Sequence, residues 1–140
     1  MIIDGTDNAD YFLYKFNISK KDQKRIRIIN NFFKEKTTKK SFSLNNLNKI
    51  FYYNGRQAVL DILNFKIVKS KKIEQGLVEL TKHYSNILVP EMPISASLLM
   101  KRYNMPEGKQ LGEKLRKIEE EWVENNFRIS EPQVDEIVNN

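Results

Sequence analysis

The chain has 140 residues, and its 24 Lys and Arg against 18 Asp and Glu give a formal net charge of +6. That length is one domain or one piece of a larger enzyme, and it excludes a second full-sized domain. Zero cysteines exclude a disulfide framework, a thiol nucleophile and any cysteine-ligated metal, while a single histidine, His83, leaves little for metal chemistry or a catalytic triad.

Only 5 Gly and 4 Pro, with no alternating strand pattern, predict helices throughout. The first helical stretch is Asp7 to Phe16, where Tyr11, Leu13, Tyr14 and Phe16 are too densely apolar for a lone amphipathic helix and imply burial by a neighbouring element. Ser19 is a good cap and Asp22 puts a negative charge near the positive helix end, so a helix is expected from Lys20 to about Glu35. Ile26, Ile29 and Phe33 follow i, i+3, i+7, and Lys20, Lys21, Lys24, Arg25 and Arg27 fill the early positions around them. Thr37 to Ser41 reads as a basic loop. Ser43 then caps a helix carrying Leu44, Leu47 and Phe51, and Asn54-Gly55 ends it. A helix from Arg56 to about Val68 turns Val59, Ile62, Leu63 and Ile67 inward, and Ser70 is expected to open the next, with Ile73, Leu77, Leu80 and Tyr84. Two prolines and no helical period between Ile87 and Ile94 mark an internal boundary. The expected organisation is therefore a helical body over 1–86 and a C-terminal tail subdomain over 87–140.

In that tail, Ser95 or Ser97 caps a short helix to Tyr103, and Asn104 to Gly108 makes a turn. The most regular helix of the chain comes next, from Lys109 to about Asn125, its Leu111, Leu115, Ile118 and Trp122 forming an apolar stripe. Ser130-Glu131-Pro132 announces a last short helix, with proline where its missing amide does no harm. The fold class is all-α, a stack of antiparallel helical hairpins with a small C-terminal helical subdomain.

Charge is unevenly spread. Met1 to Tyr14 has three acidic residues and no basic one, Lys15 to Lys72 has 16 basic against 3 acidic, and Ile73 to Asn140 has 8 basic against 12 acidic. Lys, Asn and Ile are abundant, as an AT-rich coding sequence would make them, but such a bias does not predict this split. A concentrated positive region near aromatics suits a polyanion, most commonly a nucleic-acid backbone; a solvated basic face is the plain alternative. The start lacks the basic head and apolar stretch of a signal peptide, and no uncharged apolar run approaches the ~18 residues of a membrane span. A cytoplasmic protein with no membrane partner is expected.

Motifs of catalysis are missing. The chain has no Asp-x-Asp pair for magnesium, no Gly-x-x-x-x-Gly-Lys loop, no Gly-x-Gly-x-x-Gly, no His-Glu-x-x-His and no Gly-x-Ser-x-Gly. Glu119-Glu120-Glu121 point about 100° apart on a helix and read as a solvated face, not a metal site. No catalytic residue, metal ligand or cofactor is assigned. Tyr52 and Tyr53 could stack on bases, whereas Trp122 reads as core. Gly108-Lys109-Gln110-Leu111-Gly112 is a turn into a helix whose free amides and partial positive charge can hold a phosphate, with Lys101, Arg102 and Lys109 close in sequence. The simpler account is that Gly108 serves the turn and Gly112 lets another helix pack closely.

The run Val89-Pro90-Glu91-Met92-Pro93-Ile94-Ser95-Ala96-Ser97-Leu98-Leu99, then Pro106 and Gly108-Lys109-Gln110-Leu111-Gly112, then Ile118 to Phe127 with Glu121-Trp122 within it, resembles the C-terminal tail of bacterial CCA-adding tRNA nucleotidyltransferases and their poly(A) polymerase relatives. The likeness is greatest to the alphaproteobacterial type. Leu13 to Ser19, and Leu47 to Asp61 around Asn54-Gly55-Arg56, resemble helical units of the same enzymes' body. Where the family usually has Gly-x-Asp-Leu, this chain has Ser95-Ala96-Ser97-Leu98; a serine can still cap, but any RNA contact by that glycine or aspartate is lost. The family's catalytic head, with its Gly-Ser and Asp-x-Asp motifs, and its nucleotide-selecting neck are expected before Met1.

The resemblance implies an RNA-holding piece of an enzyme that adds CCA to tRNA 3′ ends with CTP, ATP and magnesium. This chain alone is then no enzyme but part of a nucleotidyltransferase, from a split or truncated gene. Its partners are tRNA or another RNA and an N-terminal catalytic fragment, and its RNA contacts are Lys20, Lys21, Lys24, Arg25, Arg56, Lys101, Arg102, Gly108 and Lys109. Rivals are a protein-interaction module docking on a separately encoded head, which exposed Tyr11, Phe12 and Tyr14 would favour, a helix-turn-helix DNA binder, and a gene remnant.

Overall fold

The computed structural model describes residues 16–34 and 38–140, and these contain helices and no strand. They are α1 (Lys20–Lys34), a 3-10 turn (Lys39–Phe42), α2 (Leu44–Asn54), α3 (Arg56–Lys69), α4 (Gln75–Asn86), α5 (Ala96–Tyr103), α6 (Lys109–Glu124) and α7 (Glu131–Asn139). They divide into two compact units, a body ending at Val89 and a tail over Pro90–Asn140. The helix expected from Asp7 lies, except for Phe16, outside the described residues, as do Tyr11, Phe12 and Tyr14.

Helix α3 is the axis of the body. Ala58, Val59, Ile62 and Leu63 are buried and Leu60, Phe65 and Ile67 are partly so, which spreads apolar surface around the helix where a surface helix would have one stripe. Such a helix needs neighbours on several sides, and it packs against α1, α2 and α4. Leu47 and Phe51 of α2, Val59 and Leu63 of α3, and Leu77 and Tyr84 of α4 form the main core. Ile26 and Ile29 of α1 make a smaller cluster with Ile18, Phe33 and Phe65. The expected stack of helical hairpins is what forms.

Local signals explain most boundaries. The Ser19 hydroxyl accepts from the Asp22 amide at 3.2 Å and Ser43 from Asn46 at 3.3 Å, so both helices begin where their caps allow. Gly55, at φ 94°, takes the left-handed backbone that separates α2 from α3. Some expectations change. Within the expected loop, whose Thr37 lies outside the described residues, Lys39–Phe42 wind into a 3-10 turn, with Ser41 Oγ accepting from the Thr38 amide at 3.1 Å and Phe42 resting 5.3 Å from the Phe32 ring. Ser70 closes α3 and does not open α4, because its hydroxyl donates back to the Lys66 carbonyl at 2.8 Å. Helix α4 therefore starts at Gln75, and Ile73 stands 83% exposed in the connection. Leu44, at the first position of α2, is also exposed.

A polar link crosses the body core. The buried Tyr84 hydroxyl donates to Asn48 Oδ1 at 2.8 Å, joining α4 to α2. Burial pushes the Tyr84 pKa up to about 12. An unfolded tyrosine titrates near 10, so between pH 10 and 12 the unfolded chain releases a proton that the folded chain keeps. The stability that Tyr84 contributes is then expected to be intact below pH 10 and to be lost as the pH rises through about 12. Tyr84→Phe is expected to cost about 1 kcal/mol at neutral pH and to abolish that alkaline loss relative to the wild type; urea unfolding at pH 8 and pH 11 measures both.

In the tail, Leu99, Leu111, Ile118 and Val134 form the core, and Met92, Ile94, Met105 and Ile129 pack around it. Trp122 is buried as expected, its ring 5.0 Å from that of Phe127. Ser95 caps α5 by accepting from Leu98, and Asn104 ends it in the left-handed region. Buried Lys114 reaches across to α7, donating from Nζ to the Ile137 carbonyl at 2.9 Å, where a cation complements the negative helix end. Tyr103 donates its hydroxyl to Asp135, fixing α5 to the same helix.

Candidate nucleic-acid interface

The first two turns of α1 carry Lys20, Lys21 and Lys24, all exposed and, among the described residues, in no ion pair. Lys24 lies four residues from Lys20 and three from Lys21, so the three ammonium groups share one side of the helix. Ile26 and Ile29 turn the opposite way, into α3. Apolar packing thus fixes which way the lysines face, and three exposed cations form a strip that a polyanion can follow.

Arg25, expected beside them as a phosphate contact, also ties α1 to α3. Its Nε and Nη2 donate to the two carboxylate oxygens of Asp61 at 2.8 and 2.9 Å. The Asp61 side chain is nearly buried, and Gln57 donates to it as well, at 2.9 Å. The hydrogen bonds to Asp61, and then its charge, raise the Arg25 pKa above its ordinary value. Both Asp61 oxygens are satisfied, so the pair docks α1 on α3, while the Arg25 side chain stays 42% exposed and its Nη1 lies 3.5 Å from Asp22. Beside it a groove of about 570 Å³ runs between the helices, walled by Ile18, Ile26, Ile29, Phe65 and Val68. Arg56 is also engaged: exposed at the start of α3, it donates to the Ile87 carbonyl at the end of α4.

The remaining expected contacts lie in the tail. Lys101 and Arg102, in the last turn of α5, line a shallow depression of about 420 Å³ with Ser95, Ser97 and Leu98. Lys101 is exposed. Arg102 is shared, since it pairs with Glu131 at 3.1 Å and lies 5.6 Å from the Tyr103 ring centre; the Glu131 hydrogen bond, then its charge, raises the Arg102 pKa. Lys109 is 91% exposed and only 3.9 Å from Glu113, a pair that water and salt screen. Gly108 precedes α6 at φ 149°, which an L side chain rarely adopts. Gly112 does not serve close helix packing among the described residues: a Cβ there would meet none of them within 4 Å. The backbone of the first turn of α6 is therefore open to solvent on that side.

Chemically, these groups can hold phosphates and orient a chain. Among the described residues no three His, Cys, Asp or Glu side chains gather as a metal site, and no helix is long and apolar enough to cross a membrane. His83 is exposed, its ring 4.9 Å from that of Tyr84. Sequence reading overlooked one basic place, a cleft containing Lys39 and Lys66. Lys39-Lys40 was the available signal, but Lys66 lies in a helix whose pattern reads as apolar core.

No curated protein and no solved structure matches the chain. A family model does, over residues 2–131, nearly the whole length and through body and tail alike. By that match the chain belongs to the family described as tRNA nucleotidyltransferase domain 2.

Proposed function

We propose that this chain is the tRNA-holding part of a tRNA nucleotidyltransferase, gripping the sugar-phosphate backbone while nucleotide addition takes place on a catalytic head carried by other polypeptide. The observation that carries the reading is the strip of Lys20, Lys21 and Lys24, held outward by the packing of Ile26 and Ile29, in a chain of this family. Lys101, Lys109 and the open first turn of α6 extend the set of phosphate contacts to the tail. Arg25, Arg56 and Arg102 act by positioning, through Asp61, Ile87 and Glu131. Backbone contacts read shape more than sequence, which suits a protein that must accept many tRNAs. The head would supply the carboxylates, magnesium, CTP and ATP, and the cytoplasm is the proposed location.

Gel retardation tests this directly. A tRNA transcript lacking its terminal CCA is expected to be retarded by the chain, and an excess of tRNA-shaped competitor is expected to release it where duplex DNA of equal length does not. Equal competition by duplex DNA would point to a DNA binder. Co-purification with a head fragment, without any retardation, would make this a docking module. CTP and ATP incorporation by the lone chain would show that it is an enzyme.

A further inference from the structure

A second basic place on the body is assembled from three elements, none of which is α1. Between the 3-10 turn, the end of α3 and the start of α4 there is a cleft of about 440 Å³, lined by Thr38, Lys39, Phe42, Lys66, Glu74 and Leu77. Its floor is apolar and partly buried, since Phe42 and Leu77 belong to the main core. Lys66 Nζ lies 5.9 Å from the centre of the Phe42 ring, and Lys69 Nζ lies 5.2 Å from that of Phe65. Lys40 on the 3-10 turn and Lys71 and Lys72 after α3 are exposed beside the lining residues in sequence.

The carbonyl end of α3 accounts for Lys66 and Lys69, which complement its partial negative charge. It does not account for Lys39, Lys40, Lys71 and Lys72. Among the described residues none of the six is in an ion pair, and Glu74 is the lone carboxylate of the lining. Lys39 and Lys66, which share the lining of this concave, partly apolar cleft, repel one another and focus a positive potential outward, an arrangement that a bound anion relieves.

We infer that this cleft holds a phosphate of the RNA backbone between Lys39 and Lys66, with Lys71 and Lys72 at its margin. The inference rests on the RNA reading and adds a second point of purchase, separate in sequence from the α1 strip. Two points fix the direction of a duplex where one only tethers it. Free nucleoside triphosphate offers the same chemistry, but the cleft's open mouth and flanking loop lysines suit a continuous chain of phosphates.

The test uses the full chain and the tRNA transcript without CCA, with affinity measured against salt concentration. Wild type is compared with K39Q/K66Q, with K71Q/K72Q, whose exposed loop positions leave the core untouched, and with K20Q/K21Q on α1. Each true phosphate contact contributes close to one unit to the slope of log affinity against log salt, so K39Q/K66Q is expected to lower it by about 1–2 units with an unchanged thermal midpoint. If K39Q/K66Q loses stability, K71Q/K72Q decides, with a smaller drop expected in the same direction. Wild-type binding with K20Q/K21Q weakened, but with slopes unchanged in both cleft pairs, would overturn this inference and leave the RNA reading standing. Absence of wild-type binding would remove the RNA reading and this one with it. Release of the RNA by CTP, beyond that caused by sodium chloride of equal ionic strength, would reassign the cleft to free nucleotide and overturn the proposal.

Discussion

Replacing Phe51 with alanine is expected to cost the body about 3–5 kcal/mol, the largest single-substitution effect expected in that unit. Phe51 is fully buried and lies among Leu47, Val59, Leu63, Leu77 and Tyr84, with its ring 5.3 Å from that of Tyr84. Truncation removes the ring's transfer free energy and leaves a cavity between α2, α3 and α4 that the helices fill only partly. Domains of this size are stable by roughly 5–15 kcal/mol, so the variant approaches the unfolding threshold. Urea unfolding monitored by circular dichroism measures the loss. Val68→Ala serves as the control: Val68 is 83% exposed, and its replacement is expected to shift stability by less than about 0.5 kcal/mol. Equal losses from the two variants would show that the body does not pack around α3.

The role of Phe51 was legible because its periodicity and its burial agree. Leu47 and Phe51 recur at helical spacing and both point inward. Where expectation and structure part, a residue with two possible uses is responsible. Ser70 illustrates this: a serine hydroxyl can accept from the amides of a helix it starts or donate to the carbonyls of a helix it ends, and nothing within a few residues of Ser70 decides between them. Its bond to Lys66 settles the matter and delays the start of α4, leaving Ile73 in solvent. Periodicity is also blind to distance along the chain. Arg25 reads as one more cation on a basic helix, yet its bidentate carboxylate partner is 36 residues away, and Ile137, 23 residues on, draws the ammonium of Lys114 inward. Exposed lysines are therefore easier to foresee than exposed arginines. A guanidinium presents several donors in a rigid fork, and a folded chain tends to occupy them.

That difference sets the other large effect. The triple variant K20Q/K21Q/K24Q is expected to bind the tRNA transcript about 100-fold more weakly near physiological salt, since each lost phosphate contact removes roughly 1 kcal/mol of counterion-release free energy and nearly one unit of salt slope. Its fold should be unaffected, because the three side chains are exposed and none is in an ion pair with a described residue. R25Q is expected to behave in the opposite way. Removing the guanidinium leaves the Asp61 side chain, nearly buried, without its main partner, so stability falls by more than a surface pair would predict, and RNA affinity falls only as far as α1 loosens. Measuring unfolding and the salt slope on both variants separates grip from scaffold. A triple variant with the wild-type slope, or an R25Q variant of wild-type stability with a slope lowered by a full unit, would exchange the roles of the lysines and the arginine.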